Sequence, residues 1–80
     1  MSTDIRIKAE EAKRLKNDPA FKGFMASVRE TQISVFMDSE ADDVSAREEA
    51  HAMVRALNQI EVNLDAAIAA ETLLDRKQRK

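Results

Sequence analysis

Residues 45–75 read SAREEAHAMVRALNQIEVNLDAAIAAETLLD, a run with no Gly and no Pro. Within it Ala46, Ala50, Met53, Leu57, Ile60, Leu64 and Ala67 recur at alternating spacings of four and three. Those intervals return to one side of an α-helix, so the run predicts a continuous helix with a narrow apolar stripe, as along a coiled-coil seam. At 1.5 Å per residue such a helix is roughly 45 Å long, and it cannot cover that stripe by itself. It needs partners, from the same chain or from another.

Upstream, Ser45-Ala46-Arg47-Glu48 reads as a capping box that starts this helix. Ser39 to Val44 is a short acidic connection. Before it, Asn17-Asp18-Pro19 marks a break: Pro disfavours helical geometry in the residue preceding it, while Asp18 can cap a new helix with Pro19 at its first position. The predicted helices are therefore about 4–16, 19–38 and 45–75, followed by a basic tail at 76–80, all in a single domain, 1–80. The first, with Thr3 as its cap, carries the thin stripe Ile5, Ala9, Ala12 and Leu15. Alone it is too short and too charged to persist. The second carries Phe21, Phe24, Met25, Val28, Val35 and Phe36, with Gln32 inside the stripe and Gly23 weakening one flank by about 1 kcal/mol relative to Ala.

A connection of about six residues between two amphipathic helices predicts an antiparallel hairpin. In that pairing Val35 and Phe36 fall near Ala50, and Phe21 and Phe24 near Ile60 and Leu64; Phe21, Phe24, Val28, Val35, Leu57, Ile60 and Leu64 are the expected core. The third helix is the longer by about ten residues. Its overhanging end bears a second apolar face, Val62, Ala66, Ala69 and Leu73, opposite the first. The first helix folded back at Asn17–Pro19 is one cover for that end, and another copy of the chain is the other. Both are expected to contribute, because so few helices rarely bury enough apolar area. The fold class is therefore all-α: a short N-terminal helix and an antiparallel hairpin of two long helices, completing a helical bundle as a homo-oligomer, most simply a dimer. Val62, Ala66, Ala69 and Leu73 are the expected oligomer or partner interface.

Composition bounds the chemistry. Eighty residues with 44% apolar and 35% charged content, and one Gly and one Pro, suit long helices rather than disorder. The absence of Cys removes disulfides and thiolate metal sites. No apolar run approaches the ~18 residues of a membrane span, and the start lacks a signal-peptide core, so the expectation is a cytoplasmic protein without membrane contact. A net charge of −2 and a pI near 5.4 disfavour nucleic acid as a partner.

Three constellations invite a chemical reading. Glu48-x-x-His51 is the half-motif of ferritin-like di-iron helical bundles, which a dimer of hairpins could complete. By helical counting, however, both residues point away from the Met53–Leu57–Ile60 stripe. Asp38-Ser39-Glu40-Ala41-Asp42 with Glu49 imitates a calcium loop, but Asp43 stands where the turn requires Gly. Arg76-Lys77-Gln78-Arg79-Lys80 could touch DNA in a packaging or regulatory accessory, although no aromatic residue interleaves it. With one His and no Cys, Tyr or Trp, neither catalysis nor a bound cofactor is expected.

The string Leu15-Lys16-Asn17-Asp18-Pro19-Ala20-Phe21, then Ala46-Arg47-Glu48-Glu49-Ala50-His51 and Val54-Arg55-Ala56-Leu57, resembles small helical proteins encoded in tailed bacteriophages and prophages, often within structural-gene clusters. The likeness spans about residues 8 to 75, and its motifs mark the fold. It implies a non-enzymatic role in virion assembly or interaction with a phage or host protein, and it supplies no catalytic residue.

Overall fold

The computed structural model describes residues 2–78. They form three helices, α1 (Ser2–Asn17), α2 (Pro19–Asp38) and α3 (Val44–Gln78), and no strand is present among the described residues.

The break between α1 and α2 is local chemistry. Asp18 has extended backbone angles (φ −71°, ψ 120°), and its carboxylate accepts from the backbone N–H groups of Ala20 at 2.7 Å and Phe21 at 3.2 Å. These are two of the donors a helix start leaves without partners, and Pro19 has none to lose. On the other side, Asn17 Nδ2 donates to the Lys13 carbonyl at 2.8 Å and closes α1.

The other boundaries differ from expectation. α1 is already helical at Ser2, so Thr3 lies inside it rather than capping it. α3 begins at Val44, which places Ser45 within the first turn, and the capping box does not form. Arg47 instead braces the turn from its acceptor side. Its guanidinium donates to Ser39 Oγ at 3.2 Å, to the Glu40 carbonyl, and to the Ala41 carbonyl at 3.1 Å, while Ser39 Oγ donates to the Phe36 carbonyl. One planar fork thus ties the end of α2 to the start of α3. At its far end α3 continues through Arg76, Lys77 and Gln78, and the two cations suit the negative pole of the helix dipole. Arg79 and Lys80 of the expected tail lie outside the described residues.

Contacts between helices set the order of packing. Arg6 reaches Asp75 and Gln78, Lys13 reaches Glu71, Lys16 reaches Asp65, and Arg29 reaches Asn58 and Glu61. Phe36 shares a hollow with Ala50 and Val54. Partner numbers fall as residue numbers rise, so α1 and then α2 lie in succession along α3, running against it. Both make their main contacts to α3 rather than to each other. Their lengths, 16 and 20 residues, together match the 35 of α3. The result is a rod of 59 × 22 × 16 Å with a radius of gyration of 17.3 Å, against roughly 11.6 Å for a compact chain of this length.

A rod two helices wide has little interior. Its buried apolar residues are Ala9, Ala12, Ala50 and Leu57, supported by half-buried Ile5, Phe21, Met25, Val28, Val54, Leu64 and Ile68. Several expected core residues are therefore exposed: Phe24 keeps 74% of its surface, and Val35 and Ile60 are exposed as well. The reason is geometric. One facing helix covers one arc of its neighbour, and an apolar stripe wider than that arc spills over at its edges. On α1, Ala9 and Ala12 face inward as expected, but Leu15 turns out to solvent.

Candidate interaction surfaces

The charged residues of α1 and α3 form an organised seam. Glu71, whose side chain is only 12% exposed, lies 2.8 Å from Lys13 Nζ and 3.7 Å from Arg6 Nη1, and Arg6 Nη2 also reaches Asp75 at 2.8 Å. The hydrogen bond from Lys13 to Glu71 is the largest influence on the ammonium group. With the attraction of Glu71 and Glu10 it outweighs partial desolvation and raises the Lys13 pKa above the ordinary lysine value. The seam fixes where α1 sits along α3.

Glu48 and His51 border one shallow hollow but are not gathered with further carboxylates. Both are exposed, and His51 borders shallow hollows beside Phe36 rather than facing a carboxylate cluster. Among the described residues no group of three or more His, Cys, Asp or Glu is placed to hold a metal ion. In the acidic turn, the Glu40 and Ala41 carbonyls already accept from Arg47, so a cation there would compete with a guanidinium. Arg76 and Lys77 are exposed on the last turn of α3. Among the described residues no helix is long and apolar enough to cross a membrane.

What the fold does present is apolar surface of three kinds. The face Val62, Ala66, Ala69 and Leu73 stays open, because α1 packs on the adjoining arc of α3 around Leu64, Ile68 and Glu71. Val62 and Leu73 keep 57% and 56% of their surface. Along one side of the α2–α3 contact runs a groove of about 460 Å³ floored by Phe21, Met25, Ile33 and Leu64. Arg29 bridges the groove to Asn58 at 2.9 Å and Glu61 at 2.6 Å, and Lys16, Lys22, Glu30 and Asp65 edge it. Sequence reasoning missed this groove. Its signal was a second, weaker line on α2, in which Ile33 follows Phe21 and Met25 on the flank of the main stripe. Along the other side of the same contact lie Phe24, Met53 and Ile60, exposed among small and uncharged neighbours.

Comparison with known proteins finds no family model, no curated protein and no solved structure that matches this chain.

Proposed function

We propose that the chain is a non-enzymatic structural or assembly protein of the kind encoded by tailed phages and prophages. It acts through helix packing, working in the host cytoplasm or on the virion. In this reading two copies complete a bundle from two antiparallel helical hairpins, each carrying a docked N-terminal helix, and the assembled bundle then engages another phage or host protein. The observation that carries the packing role is the surface left uncovered. The chain exposes 6271 Å², whereas a compact monomer of 9.0 kDa exposes roughly 4,900 Å². The excess of about 1,400 Å² is well above the ~800 Å² per partner of a standard stable interface. The open face at Val62, Ala66, Ala69 and Leu73 adds surface for a second partner. The phage setting is supported by the likeness of the Leu15–Phe21, Ala46–His51 and Val54–Leu57 strings.

Sedimentation of the full chain over a wide concentration range tests the reading. Twice the 9.0 kDa chain mass is the expected result. A particle of chain mass at every concentration, with unchanged helicity, would refute it. Substituting Ala66 and Ala69 with Glu tests the open face separately, by loss of binding to a partner captured by the wild-type protein.

A further inference from the structure

Counting about 100° per residue from the covered line of each helix, Phe24, Ser27 and Thr31 of α2 share one side of the rod with Met53, Ala56 and Ile60 of α3. Charged residues make up 35% of the chain, yet none falls on this side between Ala20 and Val35 or between Ala52 and Ala67. The opposite side of the same helix pair holds Lys22, Arg29, Glu30, Glu61 and Asp65 around its groove. Charge depletion around exposed aromatic and Met side chains is the composition of an interface centre.

We propose that this uncharged side, rather than the single-helix face at Val62 to Leu73, is where a second copy of the chain packs, two-fold symmetrically, to give a four-helix bundle. The proposal rests on the self-association reading above and names its surface. Two helices contribute to this side, and the uncovered excess of about 1,400 Å² on the chain exceeds the ~800 Å² per copy that a stable dimer requires. Phe24 stands proud of its helix with 74% of its surface free, one turn from the short side chain of Ser27. A self-complementary contact sets that knob of each copy into a hollow of the other. Met53 and Ile60 belong to the seven-residue repeat Ala46, Met53, Ile60, Ala67, whose members flank the line already covered by α2, as positions facing a further helix of a bundle do. Orientation follows from charge. Asp38 and Glu49 lie on this same side at the turn end of the rod. A two-fold axis perpendicular to the rods keeps the two acidic ends apart, whereas a parallel pairing would collect four carboxylates.

The test compares the full chain with Phe24→Glu, Ser27→Arg and the matched control Val62→Glu, by light scattering and sedimentation, with circular dichroism to follow helicity. All three positions are exposed, so each variant should fold. The expectation is a wild-type dimer, a Val62→Glu dimer, and single chains of full helicity for Phe24→Glu and Ser27→Arg. A hot-spot loss of about thirtyfold per buried carboxylate, incurred once per copy, amounts to roughly a thousandfold weaker dimer for Phe24→Glu. A wild-type dimer that survives in both Phe24→Glu and Ser27→Arg, or that dissociates in Val62→Glu, overturns the surface and leaves self-association standing. A wild-type chain that never dimerises overturns both.

Discussion

Replacing Ala9 with Leu should detach α1. Ala9 has no exposed surface and Ala12 almost none, so α1 approaches α3 through two methyl groups. Leu adds three carbons where there is no room, and overpacking of this kind costs about 1–3 kcal/mol. Little opposes that penalty. Ile5 is only half-buried, the cations of the seam are partly exposed and so hold weakly, and a free helix of 16 residues is marginal in water. Relief by undocking is therefore cheaper than strain, and an undocked α1 melts. The far-ultraviolet helical signal should fall by about a fifth, the share of 16 residues beside helices of 20 and 35. Hydrogen exchange should show rapid labelling confined to residues 2–17, with α2 and α3 protected as before. Glu11→Leu, which installs the same side chain at an exposed α1 position, should leave both signals unchanged. An Ala9→Leu protein with full ellipticity and wild-type protection in α1 would refute close packing of α1 on α3.

Leu57 is the one large side chain among the buried apolar residues, and Leu57→Ala should cost about 2–3 kcal/mol in urea unfolding, the low end for such changes because the half-exposed side chains of a two-helix rod can close over the site. An effect under 1 kcal/mol would mean that the α2–α3 contact is not centred there. Arg47→Ala should cost about 1–2 kcal/mol and speed exchange in residues 39–43, and Arg47→Lys should recover little because an ammonium cannot span three acceptors; full rescue by Lys would contradict the clamp. Gly23 has open space where a Cβ would sit, so Gly23→Ala should raise stability by about 0.5–1 kcal/mol, and a loss would show that α2 needs the glycine. Because the Lys13 pKa is raised on folding, its contribution is complete below the ordinary lysine value of ~10.4 and fades as pH rises through the higher folded value; helicity of α1 should therefore hold from pH 7 to pH 10 and then drop, with the alkaline step diminished in Lys13→Met.

The elements that local chemistry decides were legible in the sequence. Asp18-Pro19 determines the start of α2 within one turn, and 19–38 is the helix found. The start of α3 was not so legible. Ser45 and Glu48 form a plausible cap, but Arg47 reaches back to carbonyls whose positions depend on how α2 arrives. Its end was also misplaced, since Arg76 and Lys77 are good helix formers as well as members of a basic run. The heptad rhythm identified the inward line through Ala50 and Leu57, yet it also nominated Ile60. Which flank of a wide stripe is covered depends on the number of helices that pack against it, and no single helix encodes that number. Phe24 and the open face at Val62 share this ambiguity. Arg29 with Glu61, and Glu71 with Arg6 and Lys13, are ordinary charges in the sequence and become partners only once the register between helices is known.

The end-to-end placement of α1 and α2 against a single spine has a consequence for how the molecule comes into being. The α2–α3 contacts begin at the turn, with Arg47 binding a residue eight positions away, and extend to Arg29 and Glu61, 32 apart. Those of α1 join residues 49 to 72 apart, up to Arg6 with Gln78. α1 is thus anchored by a stretch of α3 that is made 49 to 72 residues after it. At about 5–20 residues per second, synthesis leaves Ile5, Ala9 and Ala12 waiting some 3–12 s for their seat to emerge. Chain growth from one end and closure from the other make α1 the last of the three helices to settle.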